Sequence, residues 1–152
     1  MAHEGKEYDN LSFFKLVEAE LEDCGSARIR VKGWSMQPMI MNMRDDVLID
    51  KRNDRVPVIG DICLFRYNGN YILHRYKYSE GDIMVMQGDN LFTFERCRLN
   101  DVVGIVRVVY HNGKETSPKS VKWRVITRLH RSYKSLRNLA VRIIRKIVRM
   151  IK

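Results

Sequence analysis

Residues 61–78, DICLFRYNGNYILHRYKY, constrain the chain more than any other stretch, because two runs rich in apolar and aromatic residues meet at Asn68-Gly69. Asn-Gly suits the two positive φ angles of a tight hairpin, so the stretch predicts two antiparallel strands. The surrounding chain keeps the same character. ARIRVKG (27–33) alternates, DVLID (46–50) is a short apolar run, DIMVMQGDN (82–90) ends in a turn, and DVVGIVRVVYHNGK (101–114) reaches a second Asn-Gly pair. Five or six short strands punctuated by Gly, Asn and Asp predict a mainly β fold, a small curled sheet over residues 26–115.

The period becomes helical on either side. Asp9 or Asn10 can cap a helix carrying Phe13, Phe14, Val17, Leu21 and Cys24 on one face, with Gly25 placed to end it. This defines an N-terminal amphipathic unit over residues 1–25. Beyond residue 116, Ile126, Leu129, Tyr133, Leu136, Ala140, Ile143, Ile147 and Met150 recur at alternating spacings of three and four. Arg and Lys occupy the other faces. This predicts one long basic amphipathic helix over residues 121–151, inside a C-terminal unit of residues 116–152. A chain of 152 residues with 45% apolar content supports one compact core plus an appendage.

The net charge of +10 belongs to that appendage. Residues 116–152 hold twelve Lys and Arg and no acid, whereas residues 1–115 hold sixteen against eighteen acids. The charge therefore speaks of what the helix meets and says little about the body. Cys24, Cys63 and Cys97 lie far apart, without a Cys-x-x-Cys pair or a histidine at ligand spacing. Neither a disulfide framework nor a metal or other cofactor is expected. The N-terminus is acidic where a secretory leader would be basic, and no window is apolar enough to span a bilayer. A cytoplasmic protein is expected, with peripheral membrane association and no transmembrane span.

Chemistry centres on VKGWSMQPMI (31–40), where Ser35 interrupts a strand-like apolar run. A serine hydroxyl needs a nearby base and, when the base is histidine, a carboxylate to orient it. His3 lies near the N-terminus, His111 abuts the second Asn-Gly turn and His130 sits on the basic helix, which leaves His74 on an interior strand. Composition and periodicity do not bring Ser35 and His74 together. Taken alone, such residues are more often a packed hydroxyl and a capped imidazole.

The order V-x-G-x-S-M-x-P, RDDVLID, GDICLF, YILHR and QGDN, over roughly residues 29–108, resembles the type I signal peptidases and the related self-cleaving repressor-type serine peptidases. The histidine before Arg75 resembles the branch that pairs serine with histidine, that of the endoplasmic reticulum and of spore formers. The resemblance implies a small barrel-like peptidase fold. It also implies a serine endopeptidase that removes a leader, with Ser35 as nucleophile, His74 as general base and a carboxylate as orienter. Asp89 of QGDN is the favoured orienter and Glu95 of FTFER competes. Met36, beside the serine, would contact an extended peptide substrate, although methionine equally fills core gaps. Gly33 and Trp34 stand where that branch usually has Ser-Gly, which leaves the oxyanion to backbone N–H groups. Asp45 replaces a usual glycine and reads as a tolerated turn change.

Two other readings compete with the peptidase. One is a non-catalytic peptide-binding module of the same fold. The other is a self-processing regulator cutting at Cys24-Gly25, cramped by a reach of at most about 35 Å back to Ser35. For residues 121–151, an anionic membrane surface, a homodimer seam and nucleic acid compete. One Trp, one Tyr and no base-reading motif argue against nucleic acid.

Overall fold

The computed structural model describes residues 10–151, so His3 and Asp9 lie outside the described residues, as do the side chains of Ile147 and Met150. A first helix, α1 (Asn10–Cys24), turns Val17 and Leu21 into the core and ends at Gly25, whose φ is +74°. That is the left-handed turn expected there. The Gly25 N–H donates to the Leu21 carbonyl at 3.0 Å. Eight strands follow: β1 (Ser26–Arg30), β2 (Asp46–Lys51), β3 (Ile62–Tyr67), β4 (Asn70–Glu80), β5 (Ile83–Gln87), β6 (Glu95–Arg98), β7 (Val102–His111) and β8 (Lys114–Thr116). A long helix, α2 (Val121–Ile151), completes the chain.

All pairings are antiparallel, and the order is β1-β2-β7-β3-β4-β5-β6, with β8 beside the end of β7. Asn68 and Gly69 both take positive φ and set the β3–β4 register at Tyr67↔Asn70. This is the hairpin geometry that Asn-Gly predicts. Alternation along β3 sends Ile62 and Leu64 into one apolar cluster, with α1, β1 and β2, and Cys63 and Phe65 into another, with β5, β6 and β7. Gly104 marks a tight crossing. A Cβ there would sit 2.5 Å from Ile49 Cγ2 and 2.9 Å from the Asp50 carbonyl, so any side chain would force β7 away from β2.

This architecture corrects the expected fold class. The chain is a mixed α and β fold whose sheet is open: β1 and β6 end the ladder and do not pair with each other. A closed barrel would require that last ladder, and with it the edges would vanish. Alternation and turn residues specify strands and hairpins, but closure depends on which distant edges meet, a matter on which a period of two is silent.

The serine-bearing segment departs from expectation as well. Residues 33–44 form a succession of turns instead of a strand, with Gln37-Pro38 cis and Met43 at positive φ. Met36, Met39 and Ile40 are buried and carry the segment into the core. The Asn42 side-chain carbonyl receives the Gly33 N–H at 2.9 Å. Asp45 is wholly buried and is the hub of the loop: its carboxylate accepts from the Met41 N–H at 2.9 Å, Arg44 Nε at 2.6 Å and His111 Nδ1 at 2.8 Å. Burial pushes this carboxyl up. The hydrogen bonds from Arg44, Met41 and His111 outweigh that effect and hold it below the usual carboxylate range, as hydrogen bonds to a charged form do. A turn residue would need none of these partners.

Candidate functional site

Two features meet around Ser35. The first is a polar cluster built where β4, the 88–90 turn and β6 converge. His74 on β4 is buried. Its Nδ1 lies 2.8 Å from Glu95 Oε2 on β6. The carboxylate can only accept, so the ring donates to it. Asp89, the favoured orienter, is engaged elsewhere. Its two oxygens receive Arg75 Nε at 2.9 Å and Nη2 at 2.7 Å in a buried pair, the bidentate geometry that gives such contacts their strength. The same guanidinium reaches the carbonyls of Gly60 at 2.7 Å and Pro118 at 3.1 Å, tying β4 to the segment before α2. Gly88 is wedged at the centre: a Cβ there would stand 2.7 Å from the Ser35 carbonyl and 2.9 Å from His74 Nε2. The Asn90 N–H donates to the Ser35 carbonyl at 2.8 Å, and the Asn90 side chain donates to the Trp34 carbonyl at 3.0 Å.

Thus Ser35, His74, Glu95 and Asp89 share a neighbourhood, but what faces the turn from Ser35 is its main chain. Among the described residues no hydrogen bond joins the Ser35 hydroxyl to the imidazole, and no Ser/His dyad is formed. Without a base in contact the hydroxyl is not activated. The reading as a serine endopeptidase, with its signal-peptide-processing and hydrolase assignments, is therefore corrected. The self-processing alternative falls with it. The Cys24-Gly25 bond lies in a separate cleft of about 450 Å³, lined by Asp50, Lys51, Arg52 and Arg107 among others, while Ser35 lines the groove described next. The peptide-binding alternative, stated as a module of the same fold, loses that fold.

The second feature is a groove of about 720 Å³. Phe13 and Phe14 of α1 form one wall, residues 29–33 of β1 and its continuation a second, and Tyr71, Ile72 and Leu73 of β4 a third, with Ser35, Met36 and Met43 completing the lining. Among the described residues, each of the two strands has an edge that no further strand pairs. Among the described residues β1 ends the sheet beside β2, and β5 joins β4 from Arg75 onward, so β3 is the strand that pairs residues 70–74. Phe14 stacks on Tyr71 at 5.5 Å between centroids, and Glu18 accepts from the Tyr71 hydroxyl and from Arg66, which fixes α1 against β4. Met36 is buried in the groove wall, whereas Met43 is exposed at its rim.

Sequence reasoning missed Asp45, Arg75 and the groove wall supplied by α1. The charged pair Arg75 and Asp89 was visible only as a dipeptide pattern, and no period connects residue 14 to residue 71.

Neither protein-family models nor curated proteins give a match to the chain. With the open sheet, this corrects the resemblance to the type I signal peptidases: the short motifs recur in order, but the family is not supported. Among the described residues no group of three or more His, Cys, Asp or Glu could hold a metal ion, and no helix is long and apolar enough to cross a membrane.

Proposed function

We propose that this chain is a holding module that takes an extended apolar peptide as an added strand in the groove between β1 and β4, without cleaving it. The observation that carries the reading is an apolar groove flanked by two strand edges that no further strand pairs among the described residues. A free edge offers main-chain donors and acceptors along its length. Alternate side chains of an added strand would point toward Phe14, Tyr71 and Met36. Such a strand of five residues spans about 17 Å. Ser35 serves the groove as a small half-buried wall residue.

The second part of the reading is attachment to an anionic membrane surface through α2, on the cytoplasmic side, in preference to a homodimer. The specific support is that Val125, Leu129, Tyr133, Leu136 and Ile143 are exposed along a helix flanked by Lys and Arg. Apolar area and positive charge therefore face outward together, as in helices that lie on anionic bilayers.

Fluorescence anisotropy of a labelled decapeptide rich in Val, Leu and Ala tests the first part. The wild-type chain and Ser35→Ala bind alike and leave the peptide intact, while Met43→Glu and Phe14→Ala each weaken binding about tenfold, the loss of one apolar anchor. Equal affinity in all four proteins would reject the groove. Vesicle flotation tests the second part: the wild type floats with anionic vesicles and Leu129→Asp/Leu136→Asp does not. A dimer that dissociates in the double variant, with no flotation of either protein, would reject the membrane.

A further inference from the structure

The junction of α2 with the body is short of negative charge. Seven described positions of α2 are half-buried, recurring along one face: Trp123, Ile126, Thr127, His130, Arg131, Lys134 and Asn138. Five of them are polar. Lys134 and His130 find Asn90, and Arg131 Nη2 reaches the Asp89 carbonyl at 3.4 Å. Two polar atoms on successive turns of the same face, Thr127 Oγ1 and Arg131 Nε, are buried with no partner among the described residues. A buried N–H or O–H without an acceptor costs about 1–3 kcal/mol. Lys77, two residues beyond Arg75 on β4, is half-buried and its ammonium makes no hydrogen bond or ion pair among the described residues. Burial, then Arg131, lowers its pKa, with Arg75 and Arg128 adding to the effect. Among the described residues Asp89 is the acid that opposes them, and both its oxygens are taken by Arg75.

We propose that this junction binds a phosphate monoester, gripped by the Lys77 ammonium, Arg131 Nε and the Thr127 hydroxyl, with Arg128 at the rim. A tetrahedral dianion accepts hydrogen bonds from several directions at once and neutralises two of the cations, which a single carboxylate does not. The ester is free in solution or is a lipid headgroup. Its binding does not depend on the peptide groove or on the outward stripe of α2, so failure of either reading leaves it testable.

Thermal unfolding of the full chain against inorganic phosphate, at ionic strength held constant with chloride, decides the matter. Wild type gains Tm saturably with phosphate. Lys77→Met has a higher Tm than wild type without phosphate, because an uncompensated buried charge is removed, and needs at least tenfold more phosphate for its shift; Arg131→Gln shows the same weakening. A wild type with no saturable shift, or variants with the wild-type midpoint, overturns the site. A Lys77→Met protein less stable than wild type without phosphate also overturns it, since that result gives Lys77 an ordinary structural role. Phosphatidylcholine vesicles containing phosphatidic acid, set against phosphatidylglycerol at equal charge, identify the source. Displacement of phosphate by phosphatidic acid alone points to a lipid monoester, and displacement by neither lipid points to a soluble one.

Discussion

The two helices are built on the same alternation of three and four and are used in opposite ways. α1 lays its apolar face on the sheet, where Val17 and Leu21 are buried, and it also walls the groove with Phe13 and Phe14. α2 docks by a mostly polar side and, among its described side chains, leaves much of its apolar stripe outside, with Leu129 at 65% and Leu136 at 66% exposure. Its one apolar anchor in the first core cluster, among the described residues, is Trp123, whose ring lies 4.7 Å from that of His111, itself held by Asp45. A hydrophobic stripe therefore states that something covers a helix and does not state what. Acidic residues distinguish the two cases: α1 carries Glu18 and Glu22, which reach Arg66, Tyr71 and Lys51 on the sheet, whereas α2 has no acid to offer.

Four substitutions break or sharpen this contrast. Leu21→Ala, in the fully buried face of α1, costs about 2–5 kcal/mol in denaturant unfolding, since the cavity it leaves opens beside Gly104 at the β2–β7 crossing. Asp45→Asn, at the root of the contact that seats α2, costs about 1–3 kcal/mol by the same measurement, because one of the two oxygens that accept from Arg44, Met41 and His111 becomes a donor and the negative charge is lost. Its effect depends on pH. The Asp45 carboxyl lies below its ordinary value when folded. Its contribution is therefore present above about pH 4, the unfolded value, and is lost as pH falls through the folded one. Wild type and Asp45→Asn converge in stability on acidification; parallel curves down to about pH 2 would contradict the hub. Glu18→Gln loosens α1 from Arg66 and Tyr71, and the cost of about 1 kcal/mol is read as a drop in Tm. Leu129→Ala on α2 leaves the unfolding midpoint close to wild type, the smallest effect of the four, as expected of a surface position, because nothing among the described residues covers that side chain.

Much of the fold was legible along the chain. Helix ends at Gly25 and around residue 121, the hairpin at Asn68-Gly69 and the courses of β1, β2, β5 and β7 follow from local period and turn chemistry. β6 was missed, because four residues reading Glu-Arg-Cys-Arg give no apolar alternation, yet it supplies Glu95 to His74. The choice between Asp89 and Glu95 was equally beyond local reading. It turns on Arg75, adjacent to His74 on the strand, whose side chain points to the opposite face and claims Asp89. Asp45 illustrates the same limit: a residue one position from a strand looks like a turn until a histidine 66 residues later arrives beside it. Sheet closure, burial of a polar group and the partner of an amphipathic face are all set by distant chain, and short motifs in the right order do not substitute for that information.

Amide hydrogen exchange, with and without an apolar peptide, tests the proposed function most directly. An added strand in the groove slows exchange in residues 27–33 of the β1 edge and 70–74 of the β4 edge, and leaves the β5–β6 ladder and α2 as they were. Peptide-dependent protection confined to other elements, or none at peptide concentrations that saturate the anisotropy signal, would contradict it.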